Sequence, residues 1–384
     1  MGARTRVVVA GMGDTGLLVA IHLARHVDVV GVSTKPALVS GQELGNRLAR
    51  PEEWRRNFLV PFDRFRSLDH VRTIHGRIAA VDLERRTVRV DRADGGVQLV
   101  PYDALVVATG TSNGFWRDDA VRDLAEVDAA LAEVAGQVAE ASTIAVVGGG
   151  PTGVSAAANL ARRHPDKAVH LFHGGDQPLP GYHPRTRARI VRELDAAGVH
   201  RHGGHRAVLP GADGPGGGDV PTRPTSGPVA WSTGQPPFDA DLVIWAVGQV
   251  RPHTGFLPPE LLDQDGFVRV DEHLRSPVAP DVWAVGDVAA TDPARSSARN
   301  WGFLLLVRNL RAALAGRPGA MRPFRAPEHR WGSILGAQDD GMLVFQPNGA
   351  SFRVPRWAVQ PLLFDLYLRL ALYRGIRRSG RMDP

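Results

Sequence analysis

The sequence of 384 residues contains no cysteine. Disulfide bonds, thiolate metal ligands and catalytic thiols are therefore excluded. The sequence also lacks an uninterrupted stretch of about 18 apolar residues, so no simple membrane-spanning helix is expected. Its first residues have no cleavage-site pattern of the kind that ends a signal peptide. These absences predict a cytoplasmic protein.

Patterns typical of nucleic-acid binding and metal binding are missing as well. The sequence has no helix-turn-helix, zinc finger or basic–aromatic array, so no nucleic-acid partner is expected. The 14 histidines are scattered over polar segments, and no metal site is predicted. The net charge of +6 suits an acidic protein partner or an anionic membrane, and it is equally compatible with compositional drift. The length predicts two or three domains.

What the sequence does contain is a glycine-rich loop close to its start. A β-branched run at 6–10 precedes the loop, and a helical stretch at 17–26 follows it. The loop itself reads Gly11-Met12-Gly13-Asp14-Thr15-Gly16. Strand, G-x-G-x-x-G and helix in this order form the dinucleotide-binding fingerprint. Its first glycine allows the tight turn, its second lets the backbone approach a pyrophosphate, and its third lets the helix pack on the strand.

The same arrangement occurs a second time in the middle of the chain. A strand is predicted at 143–147 and a helix at 154–163. The loop between them reads Gly148-Gly149-Gly150-Pro151-Thr152-Gly153. Two such loops predict two dinucleotides on one chain. The usual pair is a tightly held flavin and an exchanging nicotinamide, with hydride passing from one ring to the other.

Three further segments carry a family resemblance: "YDALVVATGTSNG" (102–114), "DLVIWAVGQVRPHT" (241–254) and "LRSPVAPDVWAVGDVAA" (274–290). Their order and spacing resemble the two-dinucleotide-domain flavoproteins related to glutathione reductase, over about residues 5–320. The resemblance implies an α/β fold with two Rossmann-like three-layer dinucleotide-binding domains, the NAD(P)H domain inserted into the FAD domain. The expected FAD domain covers 1–115 and 252–325, the NAD(P)H domain 116–251, and a C-terminal portion with an amphipathic basic helix 326–384.

The resemblance also implies which residues hold the cofactors. Non-covalent FAD is expected at Gly11, Gly13, Asp14, Thr15, Gly16, Thr34, Lys35, Ile78, Thr109, Gly110, Gly286 and Asp287. NADH or NADPH is expected as co-substrate at Gly148, Gly150, Pro151, Thr152, Gly153, His173 and Gly248. A second interpretation of Asp287 is an ordinary helix N-cap.

The sequence departs from the family pattern at four places. Ser33, Thr34 and Lys35 stand where a carboxylate usually accepts the adenosine ribose hydroxyls. Lys35 is expected either to reach a phosphate or to be solvated. His173 replaces the acidic residue that favours NADH, and no arginine adjoins it in sequence, so weak discrimination between NADH and NADPH is expected. Ser155 stands where relatives often have a glutamate near the nicotinamide.

The catalytic residues stay unknown at this stage because the chemistry resides in the flavin. The candidates are Ser155, Asn300 and Trp301. Type II quinone reductases carry glutamines at the positions of Ser296 and Asn300, so their quinone contacts do not carry over. Trp301 is expected either to face the flavin or to pack in the interior.

The C-terminal stretch 354–381 is amphipathic and ends in basic residues. Asp365, Arg369, Tyr373 and Arg377 fall at i, i+4 spacing and predict one polar stripe on an otherwise apolar helix. An interfacial membrane helix has this pattern. A helix buried against its own core or against a second subunit of a homodimer has it as well, and both interpretations stay open. In type II quinone reductases the corresponding region docks on the membrane.

The C-terminal part, "LGAQDDGMLVF" (335–345) followed by the basic and apolar tail, resembles the ferroptosis-suppressor-like and type II NADH:quinone oxidoreductases most. The expected function is an FAD-dependent NAD(P)H oxidoreductase that reduces a quinone or a similar small acceptor. Three alternatives stay open: a reductase of a ferredoxin-like protein, a biosynthetic tailoring flavoreductase, and a slow-turnover redox-sensing binding protein.

Overall fold

The computed structural model describes residues 4–112, 118–210, 220–221, 223–248, 250–298, 301–329 and 331–377. Asn300, one of the catalytic candidates, lies outside these residues.

The strands are β1 (Arg6–Ala10), β2 (Asp28–Ser33), β3 (Ala37–Val39), β4 (Leu59–Pro61), β5 (Val71–Asp82), β6 (Thr87–Arg92), β7 (Val97–Pro101), β8 (Ala104–Val107), β9 (Thr111–Ser112), β10 (Thr143–Val147), β11 (Ala168–Phe172), β12 (His200–His202), β13 (Thr225–Val229), β14 (Phe238–Trp245), β15 (Arg251–Pro252), β16 (Val282–Ala284), β17 (Ala337–Gln338), β18 (Gly341–Phe345) and β19 (Ser351–Val354). The helices are α1 (Asp14–Leu23), α2 (Leu44–Ala49), α3 (Pro51–Phe58), α4 (Leu124–Glu140), α5 (Pro151–Arg163), α6 (Pro184–Ala196), α7 (Gly302–Leu314) and the short α8 (Arg356–Ala358). A π-helix, Val359–Leu372, follows α8 and is called the C-terminal helix below.

The first glycine loop follows β1, which belongs to a seven-stranded sheet with the order β16-β8-β1-β2-β5-β6-β7. Its first five strands are parallel, and β6 and β7 continue it as antiparallel hairpins. β1 is fully buried from Val7 to Ala10. Strands of a parallel sheet are covered on both faces, which is why β1 is a continuous apolar run in the sequence.

The second glycine loop follows β10, which belongs to a five-stranded sheet with the order β12-β11-β10-β14-β13. β10, β11, β12 and β14 are parallel, and β13 adds an antiparallel edge. β10 lies between β11 and β14, just as β1 lies between β2 and β8 in the first sheet. The predicted α/β fold with two Rossmann-like sheets is confirmed.

The chain passes between the two sheets at one place. It leaves the first sheet through β9 and comes back through β15, and these two short strands pair antiparallel. The whole second sheet lies between them in sequence. The domain boundaries at 115 and 252 stay a prediction.

The C-terminal portion begins with a three-stranded antiparallel sheet, β17-β18-β19. Leu335, Leu343 and Phe345 from this region share one core with Leu44 of α2 and with Ile144 of the second sheet. The C-terminal portion therefore packs against α2 and against the second sheet. Among the helices of the described ranges, none is long and apolar enough to cross a membrane.

The predicted polar stripe of the last helix is wrong in its C-terminal half. The C-terminal helix ends at Leu372, so Tyr373 and Arg377 lie beyond it. Tyr373 is 6% exposed and packs edge-on against Phe65, with ring centroids 5.3 Å apart. Arg377 pairs with Asp69 at 2.5 Å. The i, i+4 spacing failed here because these two residues lie beyond the helix and contact the segment 62–69, which contains two short 3-10 helices.

Candidate functional site

The two glycine loops face one continuous cleft with a volume of about 1590 Å³. Pockets for a single drug-sized ligand enclose about 300–1,000 Å³, so this cleft has room for a larger occupant or for two. The sequence-predicted residues that line it are Gly11, Gly13, Asp14, Thr15, Thr34, Lys35, Ile78, Thr109, Gly110, Gly150, Pro151, Thr152, Ser155, Gly248, Gly286, Asp287 and Trp301. Gly16, Gly148, Gly153 and His173 are not among the lining residues.

The first loop contains two glycines that the backbone packing requires and one glycine, Gly13, whose missing side chain leaves space in the cleft. Gly11 has φ +93°, and a Cβ there would lie 2.6 Å from the carbonyl oxygen of Ala108. A Cβ on Gly16 would lie 1.8 Å from the carbonyl oxygen of Gly11. A Cβ on Gly13 would meet no atom of the described residues within 4 Å. The open position stands at the start of α1, where N–H groups and the helix dipole favour an anion.

The second loop has the same three roles in the same order. Gly148 has φ +133°, and a Cβ there would lie 2.2 Å from the carbonyl oxygen of Ala246. A Cβ on Gly153 would lie 1.9 Å from the carbonyl oxygen of Gly148. Gly150, at the start of α5, again has nothing described within 4 Å of such a Cβ. Both loops therefore present a cradle that fits a pyrophosphate and that an added methyl group would fill.

Asp14 connects the first loop to the segment that leads into α2. Its carboxylate accepts hydrogen bonds from the Ser40 hydroxyl at 2.5 Å and from the Gly41 backbone N–H at 2.7 Å. These two hydrogen bonds hold residues 40 and 41 against the loop. Asp14 thus has a structural role beside the cofactor contact that the resemblance implies.

Gly286 and Asp287 approach the first loop from the end of β16. Gly286 has φ +90° and donates its N–H to the Ser297 hydroxyl at 2.9 Å. A Cβ on Gly286 would lie 3.4 Å from the Thr15 hydroxyl. Asp287 follows and lines the cleft. The structure thus brings the Gly-Asp pair to the glycine loop, as the resemblance implies.

His253 holds the crossover between the sheets together, and sequence reasoning missed it. The Thr109 hydroxyl donates to the His253 carbonyl at 2.8 Å, and the His253 N–H donates to the Gly110 carbonyl at 3.1 Å. The Ser112 hydroxyl donates to Nε2 of the ring at 2.7 Å. Burial lowers the pKa of His253, which keeps the ring neutral and able to accept this bond. The only sequence signal was its place directly after Pro252.

Lys35 is not solvated, and its contact with a phosphate stays a prediction. Its side chain is 14% exposed, and its ammonium group contacts Asp118 Oδ1 at 3.1 Å and the Asp118 carbonyl at 2.7 Å. Burial lowers the pKa of Lys35, while the Asp118 carboxylate acts in the opposite direction. Lys35 is therefore an ion-paired residue of the cleft wall, because the fold brings a carboxylate from the start of the segment before α4 to it.

His173 ends β11 as predicted, but its ring turns into the interior. It is 4% exposed, and its Nδ1–H donates to the Gly175 carbonyl at 2.7 Å. The expectation that no arginine adjoins this strand end is wrong in three dimensions. A Cβ on Gly174 would lie 3.1 Å from Cγ and 3.6 Å from Cζ of Arg206, so the Arg206 side chain covers Gly174. Arg206 comes from the segment after β12, which the sequence separates from His173.

The remaining catalytic candidates have different environments. Ser155 is 4% exposed and faces Gly45 of α2, where a Cβ would lie 2.4 Å from the Ser155 hydroxyl. Trp301 is 47% exposed, has φ +66°, and packs edge-on against Tyr367 at 5.9 Å. Trp301 therefore stands at the mouth of the cleft and not in the interior. Ser296 is buried and donates its hydroxyl to Asp292 at 2.8 Å.

Comparison with known proteins agrees with this geometry. The family described as "Pyridine nucleotide-disulphide oxidoreductase" matches residues 5–304. The chain belongs to this family. It is thus an oxidoreductase of the NAD(P)H flavoprotein type, with FAD and NADH or NADPH as its cofactors. The sequence contains no cysteine, so no disulfide can form within it.

Individual relatives are distant. The chain is 27% identical to "Oxidoreductase ptaL" of Pestalotiopsis fici, over 78% of this chain and 76% of that protein. It is 26% identical to "Type II NADH:quinone oxidoreductase Ndh" of Mycobacterium tuberculosis, over 67% of this chain and 61% of that protein. A ferredoxin reductase from Rhodopseudomonas palustris has a similar fold, with a TM-score of 0.63 and 20% identity over 85% of this chain and 79% of that chain.

Proposed function

We propose that the protein passes electrons from NAD(P)H through its flavin to a quinone that enters from a membrane surface. The observation that carries this proposal is an exposed apolar surface on the C-terminal helix that continues into the mouth of the cleft. The similarity to a type II NADH:quinone oxidoreductase supports the choice of acceptor.

The C-terminal helix has one buried side and one exposed apolar side. Val359, Phe364 and Leu372 are at most 9% exposed, and Phe364 packs edge-on against Phe58 with ring centroids 5.5 Å apart. The exposed side carries Trp357 of α8 at 76%, Leu362 at 51%, Leu366 at 53% and Leu370 at 62%. We call these four residues the apolar surface. Clustered exposed apolar side chains of this size mark a contact surface.

The apolar surface reaches the cleft through Tyr367. Tyr367 follows Leu366 on the same helix, lines the cleft, and contacts the half-exposed ring of Trp301. An apolar head group that leaves a bilayer under this helix would therefore meet two aromatic side chains before it reached the glycine loops. The C-terminal helix packs on the core and also exposes an apolar side, and contact of that side with a membrane or a second subunit stays a prediction.

The chain's own residues supply binding and position for this reaction. The open positions over Gly13 and Gly150 would receive the two pyrophosphates, and the Thr109–His253 hydrogen bonds hold the two crossover segments together. A flavin held in this cleft would supply the redox chemistry between the nicotinamide and the acceptor. The family relation supports hydride transfer from NAD(P)H, and the quinone is the proposed part.

The experiment compares two pairs of surface substitutions. Leu366→Glu/Leu370→Glu places charges on the apolar surface, and Val97→Glu/Leu99→Glu places the same charges on exposed apolar residues of β7, which are 61% and 65% exposed. We expect the first pair to abolish vesicle binding and the reduction of a long-chain quinone in phosphatidylcholine–phosphatidylglycerol vesicles. Reduction of a short-chain, water-soluble quinone should persist. The second pair should change neither.

Two results would overturn the proposal. One is an unchanged rate with the long-chain quinone after Leu366→Glu/Leu370→Glu. The other is a flavin that NAD(P)H reduces and that a ferredoxin-type protein reoxidises, while no quinone does. That second outcome would favour the ferredoxin-reductase alternative.

A further inference from the structure

Glu43 is an ionisable side chain of the cleft that neither cofactor assignment uses. It precedes α2 directly and adopts a left-handed backbone conformation, with φ 50° and ψ 45°. Residues other than glycine rarely adopt this conformation, and such strain often occurs at functional sites. The conformation turns the Glu43 side chain away from the usual N-cap position, since it makes no capping hydrogen bond to α2.

The surrounding residues fix one carboxyl oxygen of Glu43. The Asn46 side-chain amide donates to Oε2 at 2.6 Å, and the Ala337 backbone N–H lies 3.4 Å from the same oxygen. Asn46 is itself held, because its amide also donates to the Ala337 carbonyl at 3.1 Å. Gly336 has to be glycine here, since a Cβ would lie 2.9 Å from Oε2. Asn46 of α2 and Ala337 of β17 thus hold Oε2 in place.

The other carboxyl oxygen, Oε1, is available to the cleft. No hydrogen bond to Oε1 is formed by any residue that the structure describes, and Glu43 lines the cleft. A carboxyl group with one fixed and one open oxygen can exchange a proton at the open oxygen without losing its position.

The position of Glu43 lies between the two glycine loops. The segment 40–45 begins at Ser40 and Gly41, which Asp14 of the first loop holds. It ends at Gly45, which touches Ser155 on the helix that follows the second loop. Hydride transfer requires the rings of the two dinucleotides to meet in the cleft that both loops line, and Glu43 lines this cleft between the two attachments.

We propose that Glu43 is the proton-exchanging carboxyl group where the two dinucleotides meet. The proposal rests on the NAD(P)H flavoprotein activity of the family and not on the identity of the acceptor. Transfer of hydride from NAD(P)H moves two electrons and one hydrogen nucleus and leaves NAD(P)⁺. A two-electron acceptor such as a quinone takes up two electrons and two protons, so turnover consumes one proton beyond the hydride. The Glu43 carboxylic acid supplies that proton, and water restores it.

The electrostatic environment of Glu43 suits this role. Burial raises the pKa of Glu43, and the neighbouring Glu53 carboxylate acts in the same direction. The hydrogen bonds from Asn46 and Ala337 and the Arg356 guanidinium act in the opposite direction, and the net shift is upward. Proton transfer is most efficient when the pKa of the exchanging group lies near the working pH. A carboxyl group in water has a pKa well below that, so the upward shift moves Glu43 towards it.

Infrared difference spectroscopy of the flavin-loaded protein, oxidised against reduced, tests the proposal without turnover. We expect a band from a protonated carboxyl group in the wild-type spectrum that changes on reduction and is absent in Glu43→Gln. Glu53→Gln is the matched control, since Glu53 lies nearby and pairs with Arg356 at 3.4 Å. Its spectrum should keep the band. If Glu43→Gln does not retain flavin, Asn46→Ala should shift the frequency of the band by removing the bond to Oε2.

Turnover with two kinds of acceptor gives a second readout. Reduction of a quinone, which needs protons, should fall at least about tenfold in Glu43→Gln, because general acids contribute about 10²–10⁴-fold. Reduction of ferricyanide, which takes electrons alone, should change less than threefold. A carboxyl band that persists in Glu43→Gln, or an equal loss with both acceptors, would overturn the proposal. A wild-type protein that shows the band but reduces no quinone would refute the proposed acceptor and leave the role of Glu43 intact.

Discussion

Replacing Gly150 with alanine separates nicotinamide binding from folding. Gly150 has φ −74° and ψ 177°, which alanine adopts without strain, and an added Cβ meets no described atom within 4 Å. Alanine is a weaker N-cap than glycine, so we expect a loss of stability of about 1 kcal/mol or less. The methyl group would instead occupy the space over the start of α5, where a pyrophosphate has to approach the backbone.

The expected magnitude follows from the steric cost of one extra methyl group. Insertion of a methyl group into a packed contact costs about 1–3 kcal/mol. At about 1.4 kcal/mol for each factor of ten, the Kd for the nicotinamide nucleotide should rise about 5- to 150-fold. Flavin content should stay unchanged, since Gly150 belongs to the second loop.

The assay measures both cofactors on the same preparations. Isothermal titration with NADP⁺ and NAD⁺ gives the nucleotide Kd, and the absorbance of the purified protein gives the flavin content. Gly13→Ala should have the reverse effect, with flavin lost. Gly136→Ala in α4 is the control, because its Cβ also meets nothing described within 4 Å and alanine favours a helix interior. Loss of flavin in Gly150→Ala with retention in Gly13→Ala would refute the assignment of the loops.

Three further outcomes are expected. Gly148→Ala should lower the free energy of unfolding by about 3 kcal/mol in urea denaturation, because a Cβ would lie 2.2 Å from the Ala246 carbonyl oxygen at φ +133°; a loss below about 1 kcal/mol would show that the loop relaxes. Arg206→Ala should raise the Kd for NADPH about tenfold and leave that for NADH unchanged, because a hydrogen bond to a charged group contributes about 1.5 kcal/mol or more; equal effects on both would exclude contact with a 2′-phosphate. Burial beside two other imidazoles lowers the pKa of His170 to about 4. The unfolded chain then binds more protons than the folded protein between about pH 6.5 and 4. The free energy of unfolding should therefore decrease as the pH is lowered from 6.5 to 4, and it should decrease less in His170→Phe. Identical pH profiles of the two proteins in denaturant titrations would contradict this.

The sequence by itself determined the elements that depend on neighbouring residues. Each glycine loop is a contiguous strand, turn and helix, so the spacing of Gly11, Gly13 and Gly16 was enough to predict both the turn and its open position. Repetition of the pattern at Gly148 predicted the second sheet. The family resemblance then implied the Thr109–Gly110 and Gly286–Asp287 strand ends, which the structure brings to the same cleft.

Only the tertiary structure decided the contacts between residues that are distant in sequence. The bond from Thr109 to His253, the pairing of Lys35 with Asp118, and the cover of Arg206 over Gly174 all depend on how separate strands end beside each other. Periodicity along one segment carries no information about the partner across such a contact. The prediction that Tyr373 lies on the polar stripe was wrong for the same reason. The i, i+4 rule assumes that the helix continues, whereas the helix ends at Leu372 and Tyr373 packs against Phe65.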